Sequence, residues 1–236
     1  MIRAAQLVCE LISSRDITLM KRLSNQLRIT EIFHSLQGES TTLGLPTVFV
    51  RLTGCPLRCQ YCDTTYAFKG GELINIEEVL SRVMSFNCQY VCVTGGEPLA
   101  QPDCITLLQR LCDSGYTVSL ETSGAHDISM VDKRVMIVMD LKTPDSGECT
   151  KNKLSNLAYL KKTDQIKFVL CSHADYQWAC TMMNEHQLTD HTQILFSPSW
   201  GQLNPTMLAN WIVKDRLKVR FQLQLHKILW NDVPGH

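Results

Sequence analysis

Residues 54–68 read GCPLRCQYCDTTYAF and place Cys55, Cys59 and Cys62 within eight positions. Structural zinc takes four ligands, commonly as two separated pairs. The spacing here is C-x3-C-x2-C with no close fourth partner, and His34 is the nearest histidine in sequence. A disulfide would use two thiols and strand the third. Iron–sulfur clusters are held by thiolates at such short spacings. Three ligands on a four-iron cluster leave one iron open, which is what a catalytic metal needs and a structural one lacks. The bland alternative is a loop with incidental cysteines.

The rest of the chain narrows the setting. Of its 236 residues, 44% are hydrophobic and 19% charged, with 23 basic and 23 acidic side chains. That balance calls for neither nucleic acid nor an anionic membrane as partner. Eleven cysteines make an odd total. Most lie singly in apolar runs, such as Cys92 in YVCVTGG and Cys171 in KFVLC, and read as small hydrophobes. The N-terminal stretch MIRAAQLVCELISSRD is broken by Gln6 and Glu10 and makes a poor secretory signal. No segment approaches the ~18 apolar residues of a membrane span. The expectation is a cytoplasmic protein in a reducing compartment.

Beyond residue 45 two textures alternate. Apolar runs at 47–54, 90–96, 117–124, 135–142, 164–170, 193–198 and 218–226 read as strands. Amphipathic stretches at 75–86, 103–115, 153–162, 174–186 and 204–215 read as helices. The segment GAHDISMVDKR is short for a full crossover helix. Strand–helix alternation argues for an α/β fold with a parallel sheet covered by helices. The count falls short of eight units and fits a partial, open (β/α)6-type TIM-like barrel. Residues 1–26 read as an N-terminal extension and residues 27–236 as one domain.

Sites in parallel α/β folds collect at the carboxyl ends of strands. The polar fragments sit there: the cysteine loop, TGGEP (94–98), ETSG (121–124), DLKTP (140–144), SPS (197–199) and His226-Lys227. Each alone could be turn chemistry. Their joint placement describes one mouth.

The cysteine triad with Tyr61 before its last member, followed by GGEP, resembles the radical S-adenosylmethionine (SAM) superfamily. That resemblance spans residues 28 to about 230. It implies a [4Fe-4S] cluster on Cys55, Cys59 and Cys62 and a unique iron that binds SAM for reductive cleavage to a 5′-deoxyadenosyl radical. It further implies SAM contacts from Tyr61, Cys62, Asp63, Gly95, Gly96, Glu97, Glu121, Ser123, Asp140, Leu141, Lys142, Ser197 and Pro198. The glycines suit close approach of backbone to a ligand, or merely a tight turn.

EIFHSLQGES, FVRLTGCPLRCQYCDTTY, K-x-P-x-SG and a C-terminal Q-x-HK resemble, within that superfamily, the 7-carboxy-7-deazaguanine synthase family. This implies ring contraction of 6-carboxy-5,6,7,8-tetrahydropterin with release of ammonia, using SAM catalytically and Mg2+. It also implies an external electron donor of flavodoxin or ferredoxin type and a homodimer. By the resemblance, Leu36, Gln37, Gly38, Glu39, Arg51, Thr94 and His226 meet the substrate, and Thr64 is a Mg2+ ligand. Gln and Glu suit the donor and acceptor edge of a pterin, and Arg51 a carboxylate. Asp140-Leu141-Lys142 departs from the family's usual Ser-Pro-Lys and puts the adenosine-side contacts in doubt. The rivals are a radical SAM activase that installs a glycyl radical on a partner enzyme, and an electron-transfer iron–sulfur protein.

Overall fold

The computed structural model describes residues 25–231, 233 and 235. The expected extension over 1–26 lies, but for its last two residues, outside them. Nine strands form one sheet in the order β3-β1-β2-β4-β5-β6-β7-β8-β9. They are β1 (Gln26–Leu36), β2 (Pro46–Leu52), β3 (Glu72–Asn75), β4 (Tyr90–Gly95), β5 (Thr117–Thr122), β6 (Met136–Asp140), β7 (Gln165–Leu170), β8 (Gln193–Pro198) and β9 (Arg220–Phe221). From β2 onward every neighbouring pair is parallel. β1 pairs antiparallel with both β2 and β3, an edge that the alternation did not announce. The sheet does not close, so the partial barrel holds, with six full parallel strands and a stub at β9.

Residue pattern explains which face each strand buries. In β2, Val48, Val50 and Leu52 join the apolar core, while Phe49 and Arg51 turn to the cavity. In β6, Ile137 and Met139 join the core, while Val138 and Asp140 turn inward. The period of two sends successive side chains to opposite faces. The core lies between the sheet and its helices, and the polar residues of the pleat gather inside the barrel.

The helices follow the expected amphipathic runs. α1 (Ile76–Ser85) buries Ile76, Val79 and Val83, and its N-cap Asn75 accepts from the Glu78 N–H. α2 (Cys104–Asp113) buries five residues, Leu107, Leu108 and Leu111 among them. α3 (His173–Glu185) starts at Ser172, which accepts from the Asp175 N–H. A short α4 (Leu188–His191) precedes β8, and α5 (Pro205–Asp215) starts with Pro205 behind the Asn204 cap. The stretch 153–162 forms only a 3-10 helix over Leu154–Tyr159. Its buried Asn156 donates to the Gly124 and His126 carbonyls, so tertiary hydrogen bonds set the turn instead of helical periodicity. The crossover from β5 to β6 carries no helix, as its length implied.

The expected strand over 218–226 is corrected. Only Arg220 and Phe221 pair, and Leu225–Trp230 form a helix, α6. His226 and Lys227 therefore sit on a helix. The reason lies at Gln222, whose amide leaves the strand pattern. It accepts from the Ser40 N–H and donates to the Ser40 carbonyl, both at 2.8 Å. The Leu225 N–H then donates to the Gly38 carbonyl. The loop between β1 and β2 thus seals the open side against the chain after β9. Thr41 extends the seal to Gln165 at the start of β7.

At the opposite rim β4 presses against β2. The Gly96 N–H donates to the Leu52 carbonyl, and the Glu97 N–H to the Gly54 carbonyl. A Cβ on Gly95 would lie 2.2 Å from the Leu52 carbonyl oxygen, and Gly95 itself has φ +145°. A Cβ on Gly96 would lie 2.2 Å from the Gly54 carbonyl oxygen and 2.7 Å from Cys55 Cβ.

Two outcomes test these contacts. Gln222→Leu leaves both backbone groups of the buried Ser40 unpaired, and the urea unfolding midpoint should reveal a loss of about 2–4 kcal/mol. Gly96→Ala must displace the cysteine loop. Reconstituted protein should then hold less iron per chain than wild type, with a stability loss of about 1–3 kcal/mol.

Candidate active site

One cavity of about 310 Å3 occupies the barrel interior and opens at the cysteine loop. Its volume suits a small ligand. Cys55, Cys59 and Cys62 line it and are half-buried. Arg58 braces their loop from outside. Its guanidinium donates to the Cys55 and Leu57 carbonyls at 2.8 and 2.6 Å and stands 4.3 Å from the Phe68 ring centre. Burial pushes the Cys59 thiol up to about 11, and raises Cys55 and Cys62 as well.

Three thiols on one loop fit a polynuclear cluster, because each thiolate binds a different iron.

The rim beside the thiols is held by Glu97. This carboxylate is fully buried and accepts from Leu99 N–H, Thr122 Oγ1, Ser123 N–H and Ser123 Oγ. It lies beneath the cavity wall and places Ser123, which lines it. Glu97 stands behind the lining with both oxygens accepting from protein donors, and its expected contact with SAM is kept as a proposal. Leu141, Ser197 and Pro198 also fall outside the lining. Leu141 belongs to the core, Ser197 Oγ donates to the Gln222 carbonyl, and Pro198 ends β8. Ser199, Trp200 and Gln202 line the mouth in their place.

Asp140 and Lys142 do line it, joined at 3.0 Å, with the ammonium 5.7 Å from the Tyr61 ring centre. Burial lowers the basicity of Lys142, but Asp140 and Cys59 outweigh it and hold the ammonium above its ordinary value. Asp140 Oδ1 and the Tyr61 hydroxyl are buried without a partner. Native interiors leave few such groups unpaired. Unfilled polar atoms beside three thiols suit a polar cofactor laid along this wall.

The inward residues of β2, β4 and β5 form the facing wall. Arg51 and Thr94 are register partners. Thr94 Oγ1 donates to Glu121 Oε2 at 2.8 Å, and Gln37 Nε2 to Glu121 Oε1 at 3.4 Å. Arg51 Nε donates to Glu31 at 2.6 Å, a contact shared with the Tyr66 hydroxyl. The Arg51 side chain is only 15% exposed, which rules out a solvated surface charge. Leu36 reaches the cavity from the end of β1, and Gln37, Gly38 and Glu39 from the sealing loop. The absent Cβ of Gly38 makes room for His226, whose Nδ1 would lie 2.2 Å from it. His226 lines the cavity too, from a helix and not from the expected strand.

Thr64 and Asp63 stand together beyond the thiols. Thr64 Oγ1 donates to Asp63 Oδ1 at 2.8 Å, while Lys227 and Gln224 approach Oδ2 at 3.3 and 3.1 Å. Desolvation raises Asp63, but Lys227 and the Thr64 hydroxyl win and hold it well below the usual carboxylate range. Adjacent hydroxyl and carboxylate oxygens fit a hard cation such as Mg2+. Of the charged lining residues, sequence reasoning missed Lys167, whereas Lys227 belongs to the His226-Lys227 pair already placed at the mouth. Lys167 carried a legible signal, a lone charge at an alternate position of QIKFVL.

The Radical SAM superfamily model matches residues 49–146. A 7-carboxy-7-deazaguanine synthase of Chlorobaculum tepidum is 46% identical over 208 residues, covering 87% of this chain and 94% of the relative. One of Thermoplasma acidophilum is 40% identical over 210 residues, covering 88% and 99%. The crystal structure of QueE from Escherichia coli matches with a TM-score of 0.72 at 21% identity, over 85% of this chain and 95% of that one. At that identity the structural likeness speaks for the fold. The chain belongs to the 7-carboxy-7-deazaguanine synthase family of radical SAM enzymes.

Proposed function

We infer that the chain catalyses ring contraction of 6-carboxy-5,6,7,8-tetrahydropterin to 7-carboxy-7-deazaguanine with loss of ammonia. The observation that carries this is one cavity that opens at the cysteine loop. In it the three thiols of a cluster face a wall of Gln37, Glu39, Arg51, Thr94 and Glu121. A cavity of about 310 Å3 with donors and acceptors on that wall suits a small polar bicyclic ring. Among the described residues, no helix is long and apolar enough to cross a membrane.

Bound at Cys55, Cys59 and Cys62, a reduced [4Fe-4S] cluster with SAM supplies hydrogen-atom abstraction. The protein positions and protects. The Gly95–Gly96 backbone, Ser123, Asp140, Lys142 and Tyr61 form the SAM side. Glu97 acts through Ser123 and Thr122, fixing the rim before any ligand arrives. Across the cavity, Gln37 and Glu121 read ring N–H groups, and Arg51 offers its remaining N–H donors to a carboxylate or carbonyl. Thr94 fixes Glu121, and His226 closes over Gly38. Asp63 and Thr64 would hold Mg2+ where the substrate carboxylate can join its shell. The metal would neutralise and orient that carboxylate.

Two further assignments accompany this reading. The loop residues Pro56, Arg58 and Gln60 are exposed, which gives a flavodoxin- or ferredoxin-type donor an approach to the cluster. The assembly is a homodimer, in keeping with the family resemblance.

Anaerobic turnover of reconstituted protein with SAM, Mg2+, a reductant and the tetrahydropterin tests the proposal. Carboxydeazaguanine, identified by mass spectrometry, should form in large excess over SAM consumed. SAM cleavage to 5′-deoxyadenosine without that product would sink it. Thr64→Ala should raise the Mg2+ concentration for half-maximal rate about tenfold or more. An unchanged Mg2+ response would remove Thr64 from the metal site.

A further inference from the structure

All six residues of β7, QIKFVL, are buried. Ile166, Phe168 and Leu170 enter the core under the helices. The pleat turns Lys167 and Val169 the other way, into the cavity wall. A buried ammonium is costly unless paired. Lys167 Nζ lies 2.5 Å from Glu39 Oε2, and both side chains are 11% exposed. Asp140 stands opposite Lys167 in the β6–β7 register. Glu39, Lys167, Asp140 and Lys142 thus cross the cavity with alternating sign.

Glu39 is held at one end only. Its N–H donates to Gln37 Oε1 at 3.2 Å, and Lys167 takes Oε2. Oε1 is buried in the wall with no donor. An unfilled carboxylate acceptor beside a ligand cavity asks for an N–H group. Without Lys167 the carboxylate loses the partner that fixes its orientation, and either oxygen can turn to the cavity.

We propose that Lys167 is a positioning residue, which occupies Glu39 Oε2 and fixes the carboxylate so that Oε1 is the one acceptor left for the ligand, and thereby selects an amino-substituted pyrimidinone edge over a carbonyl-bearing one. This rests on the functional reading above. A carbonyl placed there would set acceptor against acceptor. Lys167 touches Glu39 and acts on the ligand through it.

Binding, read apart from turnover, decides the matter. Reconstituted full-length protein with SAM and Mg2+ is titrated calorimetrically with pterin-6-carboxylate and with lumazine-6-carboxylate. The lumazine carries a carbonyl where the pterin carries an amino group. Wild type should prefer the pterin by about tenfold or more. Lys167→Met should lose that preference and weaken pterin binding about tenfold, with iron content and SAM affinity unchanged. Lys167→Arg should keep most of the preference. Glu39→Gln with Lys167→Met should bind the pterin no worse than Glu39→Gln alone, because the two act as one unit.

Equal affinity of wild type for both probes overturns the inference. So does a Lys167→Met protein that retains the preference, or additive losses in the double variant. A parallel loss of iron and SAM affinity with preference intact would make the pair structural, and overturns it as well. If Lys167→Met does not fold, Lys167→Arg and the neutral double variant still decide. Selective pterin binding without wild-type turnover would sink the functional reading and leave the Lys167 inference standing.

Discussion

The site depends on one close approach, that of the β4 end to the β2 end. No side chain fits between them. Gly95 and Gly96 lie against the backbone of Leu52 and Gly54, where any Cβ would collide with carbonyl oxygens. The cysteine loop departs from that point, so its first thiol is fixed by backbone packing. Glu97 follows at once and ties the β4 end to Thr122 and Ser123 at the β5 end. A buried carboxylate with four hydrogen-bond donors is satisfied and rigid. TGGEP therefore acts chiefly as a joint between three strand ends. Besides lining the cavity with Thr94, Gly95 and Gly96, it sets where the cysteines and Ser123 stand.

Inside the barrel, the dominant feature is paired charge. Lys167–Glu39 and Lys142–Asp140 sit on adjacent elements, and Asp63 leans on Lys227. Buried pairs are weak evidence for stability, since desolvation offsets much of their attraction. Their value here is orientation. Each pair leaves one carboxylate oxygen defined in position, and at Glu39 and Asp140 that oxygen has no protein partner. A cavity lined by a fixed set of acceptors and donors can discriminate ligands that match apolar walls equally well.

Much of this was legible before the fold. The cysteine spacing, the strand–helix alternation and the clustering of polar fragments at strand ends pointed to one rim and an open barrel. What stayed hidden was long-range. β1 and β3 carry mixed polarity because they flank the barrel, so neither reads as a buried strand. The stretch 218–226 looks like a strand by composition, yet Gln222 binds Ser40 across 182 positions and breaks it. The hydrogen bonds of Glu97 stayed hidden because its partners, Thr122 and Ser123, lie at the end of another strand. Lys167 was within reach. Its alternate position in β7 placed it on the face of Asp140 and Glu121, and only the reading of that strand as a continuous apolar run concealed it.

The loop between β1 and β2 joins two demands that most barrels keep apart. Gln37 and Glu39 line the cavity, while Ser40 and Thr41, next in the chain, seal the open side on Gln222 and Gln165. Gly38 lies between, and only its missing Cβ lets His226 pack close. An open sheet leaves an edge that would admit water to a radical reaction, and radicals in such a site must be shielded from side reactions. Closing the edge with a segment that also lines the cavity ties enclosure to the shape of that cavity. A change that loosens the seal at Ser40 or Thr41 acts on the segment that carries Glu39, so the seal and the Glu39–Lys167 pair are linked through the chain.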